Sequence, residues 1–234
     1  MSFFEKPVRG VLQSDLQWLV ANKIQEADRI DYKRDMYGRD DENKRELLRD
    51  VTALANHRGG RIVIGIDEDG ENAAREVVGL PPGDHVTWIQ SLCLSSIEKR
   101  ILGLDVVEFL LDNGRVAVVV DVPLTANGPH MVTFKGLNQF WKRHGRQKDR
   151  MTVEEIQDGF LRVADSQARL ERFLVNRHGE IMERSAGRCT LALSAMPVCF
   201  RDDPILDVRS PILRRWRSAR HRRDMARDEA SIAG

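Results

Sequence analysis

The sequence predicts an α/β (α+β) domain with a mixed, largely antiparallel sheet flanked by helices, followed by a C-terminal helical extension. Three observations carry this. RIVIGID at 61–67 and RVAVVVDVP at 115–123 are short β-branched runs that read as strands. Other stretches repeat apolar residues at helical spacing. Two turn signals, DNG at 112–114 and KGLN at 135–138, lie between strand-like runs and predict antiparallel hairpins.

The elements follow in order. Residues 14–25, SDLQWLVANKIQ, predict a helix with Leu16, Leu19, Val20 and Ile24 on one face and Ser14 as its cap. Ile30 and Tyr32 alternate with polar residues, a short strand near 28–34 before the polar loop MYGRDDEN. Residues 42–57 give the clearest helix, with Leu47, Leu48, Val51, Leu54 and Ala55 at helical spacing. Gly59 and Gly60 follow, where a helix favours a left-handed cap. RIVIGID is then a buried strand, in which Gly65 lets a neighbour pack close. EDGENAAREVVGLPPGD reads as a turn or short hairpin. Asp84 opens a helix to about Ile101 with Val86, Ile89, Leu92, Cys93 and Ile97 inward. DVVEFLL pairs with RVAVVVDVP across DNG, and PHMVTF with QFWKRHG across KGLN. Thr152 to Glu155, TVEE, is a capping box opening a helix over 153–163.

Three segments result: a domain over 12–162, a helix–strand extension over 163–208, and an Arg-rich tail over 209–234. In the extension ADSQARLERFLVN is helical and CTLALSAMPVCF strand-like. In the tail, RSPILRRWRSARHRR holds seven arginines and no acid. It reads either as a sequence-independent anchor for nucleic acid or as a disordered tail without a partner.

Composition narrows the function classes. The 234 residues are 41% hydrophobic and 31% charged, which supports a core under a charged surface. The net charge of +1 selects no partner, so the distribution of charge must. Three cysteines, Cys93, Cys189 and Cys199, without a CxxC spacing argue against a disulfide framework or a cysteine zinc site and fit a reducing compartment. No apolar run approaches the roughly 20 residues of a membrane span, and the start lacks the apolar core of a signal peptide. The expectation is a cytoplasmic protein with no membrane partner. Six histidines lack metal spacing, and His130 in GPH reads as a structural hydrogen-bonding residue in preference to a substrate contact. No GxSxG or Cys-His pattern supports a nucleophilic hydrolase.

The glycines around RIVIGID invite comparison with a phosphate loop. Such loops run strand, glycines, helix, so that phosphate meets free amides at the helix N-terminus. Here the order is helix, Gly59-Gly60, strand, and the glycines sit at the negative end of the helix dipole. Nucleotide binding is therefore disfavoured. The acids Asp67, Glu68 and Asp69 have two readings. They form a solvated turn, or Asp67 joins Glu26 and Asp31 to hold a divalent cation by oxygen ligands.

The order of EADRIDYK at 26–33, ELLRDVTALANHRGG, RIVIGIDEDG, Val78-Gly79-Leu80, DVP, GPH and FWKRHGRQKDRMTVEEI resembles the Schlafen-type Alba-like domain over about 12–162. The resemblance implies an α/β fold with a mixed sheet, nucleic-acid binding, and, in Schlafen proteins, a three-carboxylate endoribonuclease site. By motif, Glu26 matches the first acid, Asp31 the second and Asp67 the third. Asp31 stands where the family usually carries Glu, one methylene longer. The resemblance supports nucleic-acid contact better than cleavage.

Basic residues concentrate in FKGLNQFWKRHGRQKDR, where Lys135, Lys142, Arg143, His144, Arg146, Lys148 and Arg150 surround Phe140 and Trp141. Cations contact phosphates, and an aromatic stacks on an unpaired base. Strand alternation puts Trp141 and Arg143 on one face, Lys142 and His144 on the other. Lys33 and Arg34 flank the acids and can position a phosphate. The expected function is a nucleic-acid-binding protein, RNA or DNA, acting as a regulatory or binding module that requires no cofactor. The alternative is an endoribonuclease holding Mg²⁺ or Mn²⁺ on Glu26, Asp31 and Asp67. A homodimer is compatible with either.

Overall fold

The computed structural model describes residues 3, 4 and 6–185, which lie in one unit, Met1–Thr190. A second unit, Leu191–Gly234, lies outside the described residues, as do the expected strand at 189–200 and the Arg-rich tail. After a 3₁₀ turn at Val8–Gly10 come α1 (Gln13–Ala21), β1 (Ile30–Lys33), α2 (Asp41–Ala55), β2 (Gly60–Ile64), β3 (Ile66–Glu68) and β4 (Ala74–Val77). Then follow α3 (His85–Ser96), β5 (Ile97–Glu98), β6 (Asp105–Leu110), β7 (Val116–Val122), β8 (Met131–Phe134), β9 (Leu137–His144), β10 (Gln147–Arg150) and α4 (Val153–Ser185).

The main sheet has the order β1-β2-β7-β6, with β1 parallel to β2 and the other pairs antiparallel. Its central strands are apolar, apart from the paired Arg61 and Asp121 near one end, because both faces are covered. Ile62, Ile64, Val118 and Val120 pack with Leu47, Leu54 and Ile89 of α2 and α3. Val63, Ala117 and Val119 pack with Leu16 and Leu19 of α1 on the other side. A second sheet, β10-β9-β8-β5, is antiparallel, and β3 and β4 form a separate hairpin. The mixed, largely antiparallel fold read from the sequence is the fold observed.

Several boundaries have identifiable causes. Asp40, one residue before α2, accepts hydrogen bonds from the Glu42 and Asn43 amides at 3.1 Å each. After α2 the Gly59 amide donates to Leu54 O at 2.9 Å with φ +66°, the expected left-handed cap. Gly65 has φ +100° and breaks RIVIGID into β2 and β3; a Cβ there would lie 3.0 Å from Gly79 Cα, the close approach expected of it. Ser14 is not the α1 cap. The helix begins one residue earlier, so Ser14 lies inside its first turn, and Asp15 accepts the Leu12 amide at 2.7 Å.

The two expected hairpins form as read. β10 extends the second one through a turn at Gly145, φ +61°. The capping box forms: the Glu155 amide donates to Thr152 Oγ1 at 3.2 Å and the Thr152 amide to Glu155 Oε2 at 3.0 Å. It opens a helix of 33 residues that joins the two helical stretches read separately from the sequence. Near its start Phe160 meets Phe140 edge-on with centroids 6.3 Å apart. Among the described residues no helix is long and apolar enough to cross a membrane.

Candidate nucleic-acid interface

β1 carries opposite chemistry on its two faces. Ile30 and Tyr32 enter the apolar layer beside α1. Asp31 and Lys33 therefore point the other way, toward α2 and the β9–β10 hairpin. There they meet Asp50 of α2 and the inward side chains of the hairpin. Arg143, fully buried, donates through Nη1 to Asp31 Oδ1 at 2.8 Å, through Nη2 to Ile30 O at 3.2 Å and through Nε to Gly145 O at 2.9 Å. Lys33 Nζ lies 2.7 Å from Asp31 and 3.7 Å from Asp50. Lys148, directly opposite Arg143 in the hairpin, pairs with Asp50, and the Tyr37 hydroxyl donates to Asp50 at 2.6 Å.

This network sets the protonation states. Burial alone would raise the Asp31 carboxyl; Lys33 and Arg143 outweigh it and hold Asp31 below its ordinary value. Asp50 goes the other way: burial, then the neighbouring Asp31, push it up against the pull of Lys148 and Lys33. The Tyr37 phenol is raised well above its ordinary value by burial and then by Asp50, so it remains a donor.

The three expected metal-binding acids are not gathered into one centre. Glu26 accepts the Tyr32 amide at 2.7 Å, and burial, then Asp31, raise its pKa. Asp31 is committed to Arg143 and Lys33. Asp67, past the Gly65 break, pairs with Arg34 at 2.9 Å and with Arg75. Burial opposes ionisation of Asp67, but the two arginines hold it below its ordinary value. Among the described residues no group of three or more His, Cys, Asp or Glu is placed to hold a metal ion. As placed, this donor set does not fit a divalent cation.

Most of the expected phosphate-binding cations also have carboxylate partners. Lys135 pairs with Asp41 at 2.5 Å, and Lys142 with Glu155 at 2.9 Å. His144 lies 3.5 Å from Glu155. Lys33, Lys148 and Arg143 serve the buried acids, and Arg34 serves Asp67. Arg143 is thus a correction: alternation turns it inward, beside Trp141, where two buried carboxylates need countercharge. Arg146, at the hairpin turn, is exposed and has no carboxylate partner among the described residues. His130 is structural as expected. Thr125 Oγ1 lies 2.6 Å from its Nε2, its Nδ1 meets Lys99 O, and burial lowers its pKa.

Sequence reasoning passed over Asp50 and Arg49. The signal for Asp50 was present: it sits three residues after Leu47 and four before Leu54, on the apolar stripe of α2. Arg49 lies over the Trp141 ring, its guanidinium carbon 5.0 Å from the centroid.

A Schlafen, AlbA_2 family model matches residues 26–152, more than half of the chain. The chain belongs to this family. The match spans the β1 acids, α2, the RIVIGID strand and the β9–β10 hairpin, the elements that build the charge network. No curated protein matches the chain. Two solved structures are similar over part of it. The DIP2311 protein from Corynebacterium diphtheriae is 17% identical, covering 60% of this chain and 30% of that one, with TM-score 0.42. This chain thus spans less than a third of that protein. The N-terminal domain of a protein related to the ATP-dependent DNA helicase RecG, from Nitrosomonas europaea, is 25% identical, covering 59% and 90% respectively, with TM-score 0.41.

Proposed function

We propose that this Schlafen, AlbA_2 chain is a nucleic-acid-binding module that works without a metal. The observation that carries the reading is how charge is disposed around the family motif. The motif acids Asp31 and Asp67 are each neutralised by two cations, while the hairpin that meets Asp31 leaves Arg146 and Arg150 exposed and without carboxylate partners among the described residues. Surface cations beside an aromatic suit a phosphate backbone. The metal-dependent endoribonuclease requires Asp31 to leave Arg143 and Lys33, and Asp67 to leave Arg34 and Arg75.

The test is fluorescence anisotropy with labelled RNA and single-stranded DNA, in EDTA and in Mn²⁺, with the products run on a gel. Binding should survive EDTA and weaken about tenfold between about 50 and 200 mM salt. Mn²⁺-dependent cleavage that disappears in Asp67→Asn would replace this reading with the nuclease. Absence of binding to every nucleic acid would overturn it.

A further inference from the structure

The inner face of the β9–β10 hairpin carries two cross-strand pairs. Arg143 and Lys148 are locked onto buried acids. The other pair, Trp141 and Arg150, lies directly opposite in register and so shares that face. Its setting is different. The guanidinium carbon of Arg150 lies 5.7 Å from the Trp141 ring centroid, and that of Arg49, from α2, lies 5.0 Å from it. One indole is thus flanked by two guanidinium groups from two elements.

Carboxylates do not balance this stack. Among the described residues Arg49 has one carboxylate partner, the exposed Glu42, 3.1 Å from Nη1. Arg150 has none among the described residues and stands on β10, the edge strand of its sheet, open to solvent. Two donors of the stack, Arg49 Nε and Trp141 Nε1, are buried and find no acceptor among the described residues. The platform is also rigid. Asn56 Nδ2 donates to Trp141 O at 2.9 Å and to His130 O at 2.8 Å, and the Met151 amide continues the hairpin by donating to Phe140 O at 2.9 Å.

We infer that Arg49, Trp141 and Arg150 form a subsite for single-stranded nucleic acid. The two guanidinium groups take a phosphate, and the exposed plane of Arg150 takes the adjoining unpaired base. Guanidinium planes stack on bases without reading their edges, so the subsite is indifferent to sequence. A paired base keeps both faces inside its helix and has none to offer Arg150. The inference rests on the nucleic-acid reading above and gives it a location.

The test uses the full chain with fluorescein-labelled oligouridylate and oligothymidylate 12-mers and a duplex of equal length. Arg150→Gln should weaken single-strand binding about fivefold, and Arg49→Gln/Arg150→Gln further, with the log–log salt slope falling by about 0.7 for the lost phosphate. Trp141→Phe keeps a ring between the two guanidinium groups; it should retain most of the binding and remove most of the tryptophan quenching that accompanies it. Lys23→Gln, an exposed lysine just after α1, should bind as wild type. Circular dichroism melts identify any variant that fails to fold, and the exposed Arg150→Gln stands alone as evidence if Arg49→Gln does. Wild-type binding unchanged in Arg150→Gln overturns the subsite and leaves the nucleic-acid reading standing. Equal affinity for the duplex overturns the single-strand assignment. Absence of binding by the wild type overturns the nucleic-acid reading and the subsite with it.

Discussion

Replacing Arg143 by Met tests whether the buried network holds the hairpin to the body. Met approximates the volume of the aliphatic stem, so the cavity term is small. What disappears is one ion pair and two hydrogen bonds to carbonyls, Ile30 O and Gly145 O. Breaking a buried pair from one side costs about 3–5 kcal/mol. Lys33 stays 2.7 Å from Asp31 and offsets part of this, so the expected loss is about 3 kcal/mol. For a domain of this size that lowers Tm by about 6–12 °C. Urea unfolding followed by circular dichroism and by tryptophan fluorescence measures it. The double change Asp31→Leu/Arg143→Met should recover part of the loss, since apolar groups of similar size often replace a buried pair at little cost. The pH dependence gives an independent check. Asp31 has a folded pKa below its unfolded value of about 3.9, so its pairing contributes above that pH and is lost as pH falls through the lower, folded value. The gap between wild type and Arg143→Met should narrow as pH falls, because without Arg143 burial raises the Asp31 carboxyl and the variant takes up that proton first. A variant within about 1 kcal/mol of wild type at neutral pH would refute the argument that this pair holds the hairpin.

Gly59→Ala should lower stability by more than about 2 kcal/mol, because a Cβ there would stand 2.6 Å from the backbone of Val122 and Leu124 at φ +66°; a urea midpoint reads it. Thr152→Ala removes the acceptor of the Glu155 amide and should cost about 1 kcal/mol, measured by thermal unfolding. Burial depresses His130, so its imidazole should titrate below its unfolded value of about 6.5 by NMR. The wild type should correspondingly lose stability as pH falls below that value, where the unfolded chain takes up the proton first.

Periodicity and turn chemistry made the fold legible. RIVIGID and VAVVV announce strands covered on both faces, DNG and KGLN announce hairpins, and TVEE announces α4. The short β10 escaped because QKDR has neither apolar alternation nor β-branched residues; it is a strand through its pairing with β9. The candidate site was legible by residue type and not by partner. Alternation correctly separated Trp141 and Arg143 from Lys142 and His144. That Arg143 serves Asp31, 112 residues earlier, is a tertiary fact no spacing encodes. Asp67 shows a second limit. Its orientation follows from the positive φ of Gly65, which ends β2 and interrupts the alternation that would otherwise relate Asp67 to Val63.

The two-faced character of β1 acts as a register key. A parallel strand of four residues forms few ladder bonds, and these differ little between neighbouring alignments. Sliding the strand by one residue would send Asp31 and Lys33 into the aliphatic layer of Leu16, Leu19 and Val63 and carry the Tyr32 ring toward Arg143. Every odd-residue slip therefore strands charge in an apolar environment and takes Lys33 away from Asp50. The ion pairs thus select the alignment by penalising its competitors, whatever they add to the net stability of the aligned form. In this reading the acidic motif of the strand is a proofreading device for the fold, and a variant with an apolar residue at position 31 tests it by the number of conformers it populates.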